Sequence, residues 1–159
     1  MMNLCCEILK ALRGKTLVTA ESCTGGGIGA ALTAVPGMSA IYKGGIISYC
    51  DEVKRDSLGV SEELLEKVGA VSALVAQAMA SGVRERLNAD VAVSVTGLAG
   101  PGGDDFGNPV GTVYVGYCDA DCCISKGFCF NGTREVIQQQ AIEAALNLIL
   151  TMNSKEKTS

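Results

Sequence analysis

The run Thr19-Ala20-Glu21-Ser22-Cys23-Thr24-Gly25-Gly26 holds the densest chemistry in the chain. It follows the apolar pair Leu17 and Val18 and opens into glycines, so it reads as a short strand turning into a helix. Two nucleophile candidates, the Ser22 hydroxyl and the Cys23 thiol, therefore sit at a strand-to-helix corner. Backbone N–H groups at such a corner lack internal acceptors, and the helix dipole adds partial positive charge. The corner can hold a phosphate or an oxyanion beside the hydroxyl. The competing reading is an ordinary turn with a Ser or Thr cap. A thiol is intrinsically the better nucleophile. If Ser22 faces the crevice, however, Cys23 turns toward the interior, and that favours serine.

The chain contains no histidine, which removes Ser-His-Asp triads, Cys-His pairs and His-containing zinc sites. Any general base is Lys, Asp, Glu, Tyr or a terminus. Lys54 is the best placed, one helical turn beyond the strand end Ser48-Tyr49-Cys50. A lysine takes a proton from serine only when neutral, so burial or a nearby cation must depress its pKa. The alternative for Lys54 is a solvated helix lysine. Glu21 is suited to orienting a base or capping a neighbour, and Arg134, after Gly132-Thr133, suits a phosphate or carboxylate. Asp104 and Asp105, flanked by glycines, read as turn formers rather than metal ligands.

These residues need a scaffold, and the composition supplies one. The 159 residues are 48% hydrophobic and 19% charged, enough for one globular domain with a sizeable core. A net charge of −4 argues against a general nucleic-acid or membrane-surface binder. The N-terminus does not read as a signal peptide and no apolar run approaches a membrane span, so a cytoplasmic location is expected. The eight cysteines are then expected to be mostly reduced. Cys118, Cys122, Cys123 and Cys129 cluster, but they lack the paired knuckles of a zinc site and read as small hydrophobes.

Periodicity places an opening helix over Asn3–Arg13, capped by Asn3, and a strand over Thr16–Ala20. A glycine-rich helix follows over Gly25–Ala34, then a strand over Tyr42–Cys50 and a short helix over Asp51–Leu58. Ser61 caps another helix, and Ser72 opens a longer one to about Leu87. Val91–Val95 reads as a buried strand, followed by a long Gly/Pro loop from Thr96 to Pro109. A loop of that length is more often functional than not. Val110–Tyr117 and Cys122–Phe130 form a hairpin, Arg134–Met152 the last helix, and 153–159 a polar tail. The result is a single α/β domain. Its strand ends gather the Ser22 corner, the segment after Tyr49 and the Thr96–Pro109 loop into one crevice.

The residues quoted so far, taken in order, resemble the CinA C-terminal domain family, the nicotinamide-nucleotide amidases. The match runs from Thr19–Gly26 through Gly45, Ser48-Tyr49…Lys54, Leu58-Gly59-Val60, Gly69-Ala70-Val71-Ser72 and Val75-Ala76. It resumes at Ala89-Asp90, Ser94–Gly103, Pro109–Val113 and Phe130…Gly132…Arg134, and so covers nearly the whole chain. The resemblance implies a three-layer α/β/α sandwich with a mixed, mostly parallel sheet. It implies hydrolysis of nicotinamide mononucleotide to nicotinate mononucleotide and ammonia, without metal or other cofactor. Ser22 is then the nucleophile, Lys54 its base, and Tyr49 lines the site. Glu21, Cys23, Thr24, Gly25 and Gly26 surround the substrate with Thr96, Gly97, Ala99 and Gly100, and Arg134 meets its phosphate. Some family members carry a larger N-terminal domain; this chain starts almost at the amidase part, which implies the stand-alone form.

Three positions depart from the family pattern. Cys50 stands beside the tyrosine where serine is usual, Asn108 replaces a common lysine, and Gln138 replaces a common arginine. Each of the last two loses a positive charge, worth about 1–3 kcal/mol if it binds phosphate in relatives. The lost charges support a second reading, a non-catalytic nucleotide-binding or regulatory module with the same pocket; a third is an amidase for a different amide. The expected partner is a small pyridine mononucleotide rather than nucleic acid or membrane. The small-residue helices are compatible with a homodimer or higher homo-oligomer.

Overall fold

The structure, a computed structural model, describes residues 1–154. Its helices are α1 (Met2–Ala11), α2 (Gly27–Thr33), α3 (Asp51–Leu58), α4 (Glu62–Val68), α5 (Ala73–Arg86) and α6 (Arg134–Ser154). Its strands are β1 (Leu17–Glu21), β2 (Tyr42–Ile47), β3 (Val91–Gly97), β4 (Thr112–Cys118) and β5 (Cys123–Cys129). The sheet order is β2-β1-β3-β4-β5, with β2, β1 and β3 mutually parallel. Strand β4 runs against both of its neighbours, β3 and β5. Four strands thus point one way and only β4 opposes them, a mixed and mostly parallel sheet.

Side-chain alternation along the strands builds the three layers. Strand β1 sends Leu17 to one face and Val18 and Ala20 to the other, as a period of two requires. On the first face Leu17, Val93 and Val115 pack with Ile8 of α1, Ile28 of α2 and Ile137 and Ile149 of α6. On the second, Val18, Ala20 and Ala92 pack with Leu58 of α3, Leu65 of α4 and Met79 and Val83 of α5. The small residues draw α5 in close. A Cβ on Gly82 would lie 1.9 Å from the Leu58 carbonyl oxygen, so α5 passes the end of α3 backbone to backbone.

Element boundaries move where backbone geometry overrides periodicity. Met1, not Asn3, precedes α1, and no side chain caps it; the Met1 carbonyl accepts from the Cys5 amide instead. Gly25 and Gly26 adopt φ of +59° and +102°, so the chain turns before α2 begins at Gly27. Strand β2 stops at Ile47, which frees Ser48, Tyr49 and Cys50 for a turn. Helix α6 runs on through Asn153, expected to start a polar tail. Asn153 is buried, and its amide donates to the Ile149 carbonyl (2.7 Å) and the Tyr117 hydroxyl (3.2 Å). Ser154 ends the helix, and positions 155–159 of that expected tail lie outside the described residues.

Cysteine usage departs in one pair. Cys118 and Cys123 face each other across the β4–β5 hairpin and form a disulfide, while Cys5, Cys6, Cys23, Cys50, Cys122 and Cys129 are free. Antiparallel register sets the two side by side, which sequence separation does not reveal. Among the described residues no helix is long and apolar enough to cross a membrane.

Candidate active site

Pleat parity carries from β1 into the corner beyond it. Glu21 continues the Leu17 face and points toward α2; Ser22 points the opposite way, toward α3; Cys23 returns to the α2–α6 core. The Ser22 amide donates to the Val95 carbonyl (3.0 Å), tying the corner to β3. The Glu21 carbonyl accepts from the Ser48 amide (2.7 Å) and hydroxyl (3.3 Å), tying it to the turn after β2.

Lys54 meets Ser22 there. Its Nζ lies 3.0 Å from Ser22 Oγ, 2.8 Å from the Ser48 carbonyl oxygen and 3.4 Å from that of Tyr49. The lysine is 1% exposed. Burial depresses its pKa below the usual lysine value, a shift opposed mainly by the negative charge of Asp51 one turn earlier. A neutral amine carries two N–H donors and one lone pair. Two carbonyls and the Ser22 hydroxyl take up its three hydrogen-bonding positions, so the nitrogen has no other partner to satisfy. Burial also pushes the Cys23 thiol up to about 11, so at neutral pH it is a protonated core thiol rather than a nucleophile.

Around this pair lies a cavity of about 300 Å³. Its walls include Ser22, Cys23, Tyr49, Lys54 and Arg134, together with Thr96, Gly97, Ala99 and Gly100 from the end of β3 and its loop. Tyr49 stands at the rim, 62% exposed, and its hydroxyl accepts from the Arg134 guanidinium at 2.9 Å. Arg134 also donates to the Gly100 carbonyl, so one side chain straps three segments together. The Thr96 hydroxyl donates to the Ala70 carbonyl (2.8 Å) and fixes the wall rather than facing inward as a free donor.

Four expected substrate contacts lie elsewhere. The buried Glu21 carboxylate accepts from the Thr24 hydroxyl (2.7 Å) and the amides of Ile28 (2.9 Å) and Gly29 (3.0 Å). It closes the N-terminus of α2 instead of lining the cavity. Thr24, Gly25 and Gly26 form the turn behind Ser22 and are absent from the cavity wall. The wall gains Asp51, Ala70 and Val71, which the sequence reading left out. Ala70 and Val71 carry no chemical signal; Asp51 was legible as a carboxylate one turn before Lys54.

The two positions read as lost charges have internal roles. The Asn108 amide donates to the Val71 carbonyl (3.1 Å) and to Asp104 (2.8 Å), binding the long loop to the α4–α5 connection. The Gln138 amide donates to the Cys23 carbonyl (2.9 Å). Asp104 also accepts from the amides of Phe106 and Asn108, both at 3.0 Å, the pattern of a turn former. Among the described residues no three His, Cys, Asp or Glu side chains converge as a metal site.

Residues 2–153 match the family model described as the CinA C-terminal domain. The chain belongs to the CinA C-terminal domain family. It is 44% identical over 151 residues to a CinA-like protein of Synechococcus sp. (strain RCC307), covering 92% of this chain and 36% of that protein. A CinA-like protein of Rippkaea orientalis is 48% identical over 138 residues, covering 85% of this chain and 33% of the relative. The chain thus spans about a third of the length of these curated relatives. Among solved structures, the competence damage-inducible protein A (ComA) from Klebsiella pneumoniae superposes with a TM-score of 0.92 at 39% identity, covering 94% of both chains. The competence/damage inducible protein CihA from Agrobacterium tumefaciens gives 0.92 at 36% identity, covering 96% of this chain and 94% of that one. The three-layer fold read from the CinA signature is therefore the fold of this chain.

Proposed function

We propose that this CinA-family chain is an amidohydrolase that converts nicotinamide mononucleotide to nicotinate mononucleotide and ammonia through a Ser22–Lys54 pair. The observation that carries it is the 3.0 Å approach of Lys54 Nζ to Ser22 Oγ in a buried site. In the proposed cycle neutral Lys54 takes the Ser22 proton as the serine oxygen bonds to the carboxamide carbon. The Gly25 amide is spent on the Ser22 carbonyl (3.0 Å). Those of Cys23, Thr24 and Gly26 have no backbone acceptor among the described residues. Of the three, Cys23 lies on the cavity wall, and its amide is the donor available to the developing oxyanion. Protonated Lys54 returns its proton to the departing nitrogen, so ammonia leaves and an acyl-serine remains. Lys54, again neutral, takes a proton from water, whose oxygen attacks the ester; the acid leaves and the Ser22 hydroxyl is restored.

The cavity of about 300 Å³ suits a ligand of mononucleotide size, the lower end of the range for small-molecule sites. Arg134 at the rim suits the phosphate. The testing experiment is ammonia release from nicotinamide mononucleotide by the purified chain, with Ser22→Ala and Lys54→Ala alongside. Full activity in either variant ends the dyad. Tight calorimetric binding with no product over hours favours the non-catalytic module instead.

A further inference from the structure

Three residues of formal charge line the catalytic cavity: Asp51, Lys54 and Arg134. They are not paired with one another. Lys54 spends its hydrogen bonds on two carbonyls and a hydroxyl, and Arg134 spends its own on Tyr49 and Gly100. Among the described residues no cation lies within ion-pair distance of the Asp51 carboxylate. Asp51 is exposed, opens α3 two residues after Tyr49, and shares the cavity wall with Ser22. Once Lys54 is neutral, as its role as base requires, the cavity offers one negative charge on the α3 wall and one positive charge at the start of α6.

We infer that Asp51 is a specificity-determining residue that selects a carboxamide borne on a positively charged aromatic ring. The inference rests on reading the cavity as a carboxamide-hydrolase pocket. A ligand with a cationic ring and a phosphate supplies a counter-charge to each wall. An uncharged ring of the same shape partly dehydrates the Asp51 carboxylate and gives nothing back, which is unfavourable for any charged group taken from water. Selection here comes from that penalty as much as from attraction. The carboxylate product carries one negative charge more than the amide, and Asp51 hastens its departure. The competing account gives Asp51 only a dipole role in the first turn of α3. Such a role moves thermal stability and leaves ligand preference untouched.

The test uses the full chain carrying Ser22→Ala, so that binding is read without turnover. Nicotinamide mononucleotide, with its cationic ring, is titrated by calorimetry against the carbon-linked benzamide ribotide, which has the same carboxamide and phosphate on a neutral ring. With Asp51 present the cationic ligand binds more tightly by about fivefold to tenfold, the scale of one partly solvated charge pair. Adding Asp51→Asn collapses that ratio to about one. Equal binding of the two ligands with Asp51 present, an unaltered ratio in Asp51→Asn, or binding of neither ligand overturns the inference. The amidase reading fails on a separate result: no ammonia from the cationic amide with the Ser22-containing chain, whatever the binding ratio.

Discussion

Two cavities of similar size teach different lessons. One, of about 300 Å³, is the Ser22–Lys54 pocket; the other, of about 330 Å³, lies between β5 and α6. The second is walled by Lys126, Phe128 and Phe130 on one side and by α6 residues such as Glu143, Ala144 and Leu148 on the other. Phe128 and Phe130 stack with centroids 5.2 Å apart, and Lys126 lies 6.0 Å from the Phe128 ring centroid. It is drawn from one sheet edge and one helix, and its contacts are local. The first is drawn from β1, the β2–α3 turn, the α4–α5 connection, the β3–β4 loop and α6, and buried polar groups converge there. Volume does not separate the two. Convergence of distant segments on a buried, deprotonable amine does.

The contrast breaks most sharply if the pocket variants spare activity or the groove variants destroy it. Ser22→Ala and Lys54→Ala are each expected to lower the rate of ammonia release by about 10³-fold or more. Lys126→Ala in the groove is expected to leave that rate within about twofold, as befits a distant surface site. Arg134→Ala removes the strap across the rim and the proposed phosphate partner. It should raise KM for the mononucleotide by about tenfold, the scale of one charge-assisted hydrogen bond, with a smaller change in kcat.

The pH profile sharpens the comparison further. The proposed cycle needs neutral Lys54, so kcat/KM is expected to rise with pH, with its midpoint below the ordinary lysine value of 10.5. Removing the Asp51 charge lowers the amine's proton affinity and moves that limb to lower pH. The linked stability has a definite sign. Native Lys54 binds its proton less readily than the unfolded lysine does, so stability rises with pH between the depressed native value and 10.5. Below that window both states hold the proton and the contribution is level. Lys54→Met should flatten this slope in urea titrations run at several pH values. Glu21→Gln is expected to act on stability rather than on rate. A side-chain amide nitrogen would then face a backbone N–H at the start of α2, costing about 1–3 kcal/mol in chemical denaturation.

What the sequence made legible follows the range of the interactions. Ser22 was readable because strand alternation and a glycine turn are local signals. Lys54 was readable by elimination, since the chain has no histidine to serve as base. Glu21 was read both as a capping group and as a substrate contact; it caps, because its partners, the Ile28 and Gly29 amides, become neighbours after the glycine turn folds back. Asn108 and Gln138 were read by the charges they lack, whereas the hydrogen bonds they make reach Val71 and Cys23, across the fold. Ala70 and Val71 left no trace because a wall built of backbone and methyl groups has no chemical signature. The Cys118–Cys123 pairing depends on hairpin register, which spacing alone does not determine.

The order Glu21, Ser22, Cys23 distributes a carboxylate, an alcohol and a thiol to helix start, cavity and core by direction alone. Removing a single residue from β1 would rotate that allocation, aiming either the acid or the sulfur at the lysine. On the proposed reading, the choice of nucleophile is thus written in strand length as firmly as in side-chain identity.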